Sequence, residues 1–206
     1  MSQTIYRAVI FDLGGVLVNW NPQHLYSRFF NGDTAAIDRF LVEIDFHGWN
    51  LEQDRGRSFA DGVADLSAKF PQYAELIRAY DLHWEESITG QIDGTVDVAQ
   101  ALKAAGYTLG LLSNISREKY EVLRRTYDFF RHFDACLISA DVRLLKPDPR
   151  IYARLLAQIN QPAASCIFID DSAVNVAGAD RVGMTAIQFQ SPAQLKIELQ
   201  RHGVLV

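Results

Sequence analysis

Five short runs of apolar, mostly β-branched or aromatic residues punctuate the chain: Tyr6–Phe11, Tyr107–Leu112, Ala135–Ile138, Cys166–Ile169 and Thr185–Phe189. Within each run the apolar positions follow one another without strict alternation, the pattern of a strand covered on both faces. Helix-length segments separate the last four runs at Arg117–Thr126, Pro149–Ile159 and Ala173–Val182. A further helix is predicted over Asp93–Ala105, ahead of the second strand, and another over Pro192–Arg201, after the fifth. Strand and helix in alternation imply right-handed crossovers, and so an α/β fold: a three-layer α/β/α sandwich around a doubly wound parallel sheet.

The interval from Asn21 to Thr89 breaks this rhythm, with apolar positions at helical spacing and no evident strand. Asn21-Pro22 reads as an N-cap followed by proline in the first turn. Further helices are predicted over Thr34–Ile44, over Phe59–Phe70 with an interruption near Gly62, and over Gln72–Trp84, whereas Phe46–Arg57 reads as a loop. An all-helical block inserted after the first strand predicts a small cap. The expected limits are 1–18 and 90–206 for the α/β core and 19–89 for the cap. Its hinges are expected at Val18–Asn21 and Ser87–Gly94, where polar residues and glycine allow backbone motion.

Reactive groups of an open parallel sheet gather beyond the carboxyl ends of its strands. Here each such end carries a polar group: Asp12-Leu13-Gly14-Gly15 after the first strand, Ser113-Asn114 after the second, Lys146-Pro147 beyond the third, and Asp170-Asp171 after the fourth. Singly, these residues serve as turn or capping groups. Together they bring three carboxylates, a lysine and a hydroxyl to one edge of one sheet. Clustered carboxylates repel unless a cation intervenes, and an all-oxygen donor set suits Mg²⁺. Lys146 would balance the remaining negative charge and keep a nucleophilic Asp12 ionised. Ser113 and nearby backbone N–H groups at a helix start would receive a phosphoryl oxygen. The chemistry this assembles is attack by Asp12 on a phosphate ester, then hydrolysis of the aspartyl-phosphate.

Composition narrows the field. A chain of 206 residues with 49% hydrophobic content can bury one sizeable core, and a formal net charge of −5 offers no positive field to gather nucleic acid. No apolar run approaches the ~20 residues that would cross a bilayer. Met1-Ser2-Gln3 leads straight into the first strand pattern without a signal-like segment, so a cytoplasmic location is expected. Cys136 and Cys166 fall inside apolar runs and read as core, and the five histidines are dispersed without zinc-ligand spacing. Trp49 is expected to pack within the cap.

The segments FDLGGVL, LLSN, LKPDPRIY and IDDSAVNVAGADRVGM, in this order and spacing, resemble the haloacid dehalogenase-like hydrolases. More narrowly, they resemble the phosphatase branch with a helical cap of the first type, including sugar-phosphate phosphatases and the N-terminal phosphatase domain of soluble epoxide hydrolase. The resemblance implies Asp12 as nucleophile, Ser113, Asn114 and Lys146 as substrate- and phosphoryl-binding groups, and Asp12, the Gly14 carbonyl, Asp171 and Asp170 as the Mg²⁺-site residues. Asp170 is implied as a neighbouring carboxylate. The substrate class implied is a small phosphorylated metabolite, with a sugar phosphate such as a hexose 1-phosphate favoured; nothing in the sequence sets the oligomeric state.

One position departs from the family pattern. Its phosphatases carry a second aspartate two residues after the nucleophile, and here that residue is Gly14. Either the leaving group is a good one, as in an anomeric sugar phosphate, or a cap residue substitutes, with His47, Glu52, Asp54 and Arg55 as candidates and Arg55 also a possible substrate contact. Two other readings stay open: a haloacid dehalogenase, whose members place an aromatic residue at the Gly14 position, and a catalytically weak protein that binds a phosphorylated ligand.

Overall fold

The computed structural model describes residues 5–204; the opening Met1-Ser2-Gln3 lies outside them. Strand β1 (Ala8–Phe11) is central to a five-stranded parallel sheet that also contains β4 (Thr108–Ser113), β5 (Ala135–Ile138), β6 (Cys166–Asp170) and β7 (Thr185–Gln188), in the order β5-β4-β1-β6-β7. Ala8 pairs with Thr108 on one side and Cys166 on the other, so the ends of β1, β4 and β6 come out side by side. The strand order reverses about β1, and the crevice of such a sheet opens there.

The alternating side chains of these strands divide between two apolar layers. Val9, Phe11, Leu109, Leu111, Ile167 and Ile169 pack with residues of α6 (Asp93–Ala104), α7 (Arg117–Thr126) and α11 (Pro192–Arg201). Ala8, Ile10, Leu112, Cys166 and Phe168 pack instead with α9 (Pro149–Ile159) and α10 (Ala173–Arg181). Burial on both faces explains the unbroken apolar runs, and each Leu or Ile so buried contributes about 1.5–3 kcal/mol. Helix starts follow local chemistry: Ser116, Asp148 and Ser191 each accept a backbone N–H of the first turn, and Pro149 and Pro192 occupy first-turn positions.

The inserted block contains α1 (Pro22–Tyr26), α2 (Thr34–Glu43), α3 (Phe46–Asp54), α4 (Phe59–Lys69) and α5 (Ala74–Leu82). Helix α3 occupies the stretch read as a loop. Its Gly48 and Asn50 are poor helix formers, but Phe46, Trp49 and Gln53 are buried, and tertiary burial overrides local propensity. Asp45 caps it from a left-handed backbone conformation (φ 48°), accepting the Gly48 N–H. Helix α4 runs through Gly62 without the expected interruption. Its missing side chain lets α3 approach: a Cβ there would lie 2.4 Å from Gln53 Oε1, and the Gly62 carbonyl accepts the Trp49 Nε1–H at 2.8 Å.

The segments expected as loose hinges instead pair as an antiparallel ribbon, β2 (Val18–Trp20) with β3 (Ile88–Gln91). Strands of three and four residues, with one polar side chain in the first and two in the second, leave too little period to read. The helix expected over Gln72–Trp84 is shorter, with 3₁₀ turns at Pro71–Tyr73 and Trp84–Ser87 flanking α5. A four-residue helix, α8 (Ser139–Val142), follows β5 directly. Among the described residues no helix is long and apolar enough to cross a membrane.

Candidate active site

Lys146 is the centre of the polar cluster at the strand ends. Its ammonium lies 2.8 Å from Asp12 Oδ1 and 2.7 Å from Asp170 Oδ2, and donates to the Leu112 carbonyl at 2.9 Å. The side chain is 1% exposed, so these three oxygens stand in for its hydration shell. Burial works against its charge, but Asp12 and Asp170 outweigh that and raise its pKa above the ordinary lysine value. The backbone of Lys146 is itself held: Asn114 Oδ1 accepts its N–H at 2.8 Å, and Asn114 Nδ2 donates to its carbonyl at 3.1 Å. Asn114 borders the cleft as a clamp on the Lys146 loop, with both ends of its amide engaged.

Asp12 follows β1 and accepts the Leu13 backbone N–H at 2.7 Å. Burial pushes its carboxyl up to about 8, against the pull of Lys146, and Asp170 adds to the rise. Asp171 is also raised, by burial first and Asp170 second. One oxygen each from Asp12, Asp170 and Asp171 falls within 4.8 Å of the others. Such crowding holds protons that a divalent cation would displace, so the donor set fits a hard metal. Within it Asp170 has another task. It is fully buried, and its oxygens receive the Lys146 ammonium, the Ser172 N–H and the Asn175 side-chain amide. Asn175, unremarked in the sequence, thus helps hold the Asp170 carboxyl group aimed at Lys146.

Gly14 and Gly15 form the turn after β1, closed by the Gly15 N–H to Val18 carbonyl bond at 2.9 Å. Gly15 is required, since its φ is +74° and a Cβ would lie 2.3 Å from Asp171 Oδ2. Gly14 is not required sterically: only Trp20 Cβ comes as near as 4.0 Å to a Cβ built there.

These groups open onto a cleft of about 590 Å³ between the strand ends and the helical block, whose lining includes Asp12, Ser113, Lys146 and Asp171. The block contributes His47, Asn50, Leu51 and Asp54, one face of α3 at helical spacing, together with Phe59, Tyr80 and Trp84. Of the four cap residues singled out by sequence, His47 and Asp54 reach the cleft. Glu52 and Arg55 do not line it; they pair with each other at 2.8 Å on the surface, so Arg55 is not a substrate contact in this arrangement. Asp54 is buried, and burial raises its carboxyl to about 7, opposed by the Ser116 N–H and then by the Lys146 charge.

Lys119 also lines the cleft, a residue that sequence reading passed over. It projects from the inward face of α7, beside buried Tyr120 and Leu123, donates to Asp81 Oδ1 at 2.7 Å, and sits 4.3 Å above the Phe59 ring. That helical phase was the available signal. With Glu118, which accepts the Phe59 N–H at 3.2 Å, it ties α7 to the inserted block.

Comparison with known proteins agrees with this geometry. The chain is 27% identical over 203 residues to the sesquiterpene phosphatase astK of Aspergillus oryzae, covering 96% of this chain and 97% of that one. It is 26% identical to the (S)-2-haloacid dehalogenase 4A of Burkholderia cepacia, over 96% and 90% of the two chains. In two longer relatives the matching stretch makes up only 19% and 36% of the protein. Among solved structures, a HAD family enzyme from Bacteroides thetaiotaomicron, in complex with magnesium and inorganic phosphate, superposes with a TM-score of 0.71 at 20% identity, over 90% of this chain and 95% of that one. The family model for haloacid dehalogenase-like hydrolases matches residues 6–183, and the chain belongs to that family of enzymes.

Proposed function

We propose that the protein is a Mg²⁺-dependent phosphatase that hydrolyses a small phosphomonoester through an aspartyl-phosphate on Asp12. The observation that carries this reading is the geometry around Lys146, whose one ammonium is shared by Asp12 and by Asp170 while Asp171 stands beside them. Such a cluster holds a carboxylate nucleophile together with a surplus of negative charge suited to a cation. Asp12, Asp171 and the Gly14 carbonyl would hold Mg²⁺, which when bound neutralises phosphoryl oxygens and orients the ester. Lys146 and Ser113 receive the remaining phosphoryl oxygens, and Asn114 and Asp170 keep Lys146 in place. Attack by Asp12 in line with the leaving oxygen gives the acyl phosphate, which water then cleaves.

The α3 face of His47, Asn50 and Asp54 meets the leaving group across the cleft, and Leu51, Phe59 and Trp84 give it an apolar wall. Three hydrogen-bonding groups opposite aromatic rings suit a sugar, hence a sugar phosphate as first choice and a phosphate of a more apolar alcohol as second. The cap is the natural selector, since closing it over the leaving group excludes water. The dehalogenase reading is disfavoured by Gly14, where that branch has an aromatic residue. Release of 4-nitrophenol from its phosphate with Mg²⁺, its loss with chelator, and no halide release from 2-chloropropionate are the expected results. Metal-independent halide release would replace this reading with the dehalogenase one.

A further inference from the structure

Transfer of a phosphoryl group from an ester of an ordinary alcohol leaves an alkoxide that needs a proton, and the cleft offers few groups able to give one. Asp12 is the nucleophile in the reading above, on which this inference rests, and Asp171 faces the metal position. Lys146 is committed to two carboxylates, and Lys119 to Asp81. Gly14 and Gly15 have no side chain. Tyr80 is fully buried and holds its proton well above the ordinary tyrosine range, through burial first and the Asp54 charge second. His47 is exposed at the start of α3. What is left is Asp54.

Asp54 is also fixed in place. Its backbone carbonyl accepts the Ser139 hydroxyl at 2.5 Å, and the same hydroxyl accepts the Ile115 N–H at 3.0 Å, so the end of α3 is bound to the segment that follows Ser113. Its carboxyl accepts from Asn50 Nδ2 at 3.1 Å on the cleft-lining face of α3. It lines the same cleft as Asp12 and lies near enough to Lys146 for that charge to act on its carboxyl, yet it is not one of the three carboxylates whose oxygens gather within 4.8 Å.

We propose that Asp54 is the catalytic acid and base of this enzyme, acting from the inserted helical block. In the first step Asp12 Oδ forms a bond to phosphorus, the bond from phosphorus to the ester oxygen breaks with its electron pair on oxygen, and the Asp54 carboxyl gives that oxygen its proton. In the second, the Asp54 carboxylate takes a proton from water as the water oxygen attacks phosphorus; the bond from phosphorus to Asp12 breaks and phosphate leaves. Both residues return to their starting states. A carboxyl that titrates near neutrality is matched to this exchange. The titratable and charged groups that share the cleft with it are Asp12, Asp171, Lys146, Lys119, Tyr80 and His47.

The test compares leaving groups. A 4-nitrophenolate departs without a proton, whereas the alkoxide of a simple alkyl phosphate does not. In Asp54→Asn, kcat/KM for the alkyl ester, which reads the step that expels the leaving group, is expected to fall by about 10²–10⁴-fold, while kcat/KM for 4-nitrophenyl phosphate falls less than about fivefold and its kcat, which includes hydrolysis of the aspartyl-phosphate, falls more than its kcat/KM. In the Gly14→Asp, Asp54→Asn double variant, alkyl-ester turnover should recover in part. A second measurement needs only the wild-type protein: kcat/KM for the alkyl ester should decline above about pH 7 while that for the aryl ester does not. Equal losses of kcat/KM on both esters in Asp54→Asn, or no loss on either, would overturn the assignment, as would parallel wild-type profiles for the two esters. If wild type hydrolyses neither ester, the phosphatase reading itself has failed, a separate outcome.

Discussion

The side-chain amide of Asn114 brackets the Lys146 peptide, accepting its N–H at 2.8 Å and donating to its carbonyl at 3.1 Å. A residue at the end of one strand thereby sets where the ammonium of another loop sits. Asn114→Ala frees two backbone groups and lets the lysine drift, and a shift of about 1 Å in a reacting group costs on the order of 10²-fold. The expected result is a fall in kcat of that order with KM and Mg²⁺ midpoint nearly unchanged, read by steady-state kinetics. A rise in KM alone would indicate direct substrate contact by Asn114.

Lys146 should matter for folding as well as for turnover. Removing one partner of a buried ionic cluster leaves uncompensated charge and costs about 3–5 kcal/mol. In Lys146→Met, Asp12 and Asp170 lose the cation they share, and the Asp12 carboxyl, already raised by burial, rises further. A carboxyl raised in the folded state binds more protons there than when unfolded, so its penalty is absent below the ordinary aspartate value and grows as pH rises. Urea denaturation should therefore show a deficit for Lys146→Met that widens above about pH 8, larger at pH 9 than at pH 7.

Magnesium affinity should depend on pH through Asp12. With its carboxyl at about 8, metal binding below that pH must release a proton. The expected outcome is a Mg²⁺ midpoint, followed by thermal shift at fixed buffer ionic strength, that tightens up to about tenfold per unit between pH 6 and 8. Equal midpoints across that range would show that Asp12 is already ionised without metal.

Gly14→Asp should be tolerated and should raise turnover of poor leaving groups. A Cβ at that position has only Trp20 Cβ for company, at 4.0 Å, and the residue lines the cleft beside Asp12. A second proton donor there should increase kcat for alkyl phosphates about tenfold or more in the wild-type background. The same substitution at Gly15 should unfold the turn, since its Cβ would strike Asp171 and its φ of +74° disfavours any side chain.

What could be read from the sequence followed physical period and punctuation. All five sheet strands were legible because both faces are buried, which produces apolar runs that neither loop nor surface helix imitates. The helices that start at Arg117, Pro149 and Pro192 were legible as helix-length segments between or after the strand runs. Helix α3 was not, because Gly48 and Asn50 dilute its apolar face and only Phe46, Trp49 and Gln53, buried by contact with distant residues, stabilise it. The β2–β3 ribbon is too short to carry a period. In the site, Asp12, Ser113, Lys146 and Asp171 could be located from their strand ends, and all four line one cleft. Asn114 reads from the sequence as a substrate contact and Asn175 carries no role there; their bonds to Lys146 and Asp170, 32 and 5 residues away, leave no local pattern. Arg55, a candidate substrate contact from sequence, turns at the end of α3 toward Glu52 and solvent, a direction that a stretch read as a loop does not specify.

On the proposed route the phosphoryl group passes to the Asp12 carboxylate. The direct measurement is acid quench of the protein during turnover of an aryl phosphate with Mg²⁺, followed by peptide mass analysis. The account predicts the mass of one phosphoryl group on the peptide carrying Asp12, dependent on the metal and absent, together with turnover, in Asp12→Asn. Turnover that persists in Asp12→Asn, or a phosphoryl group mapped to another residue, would contradict it.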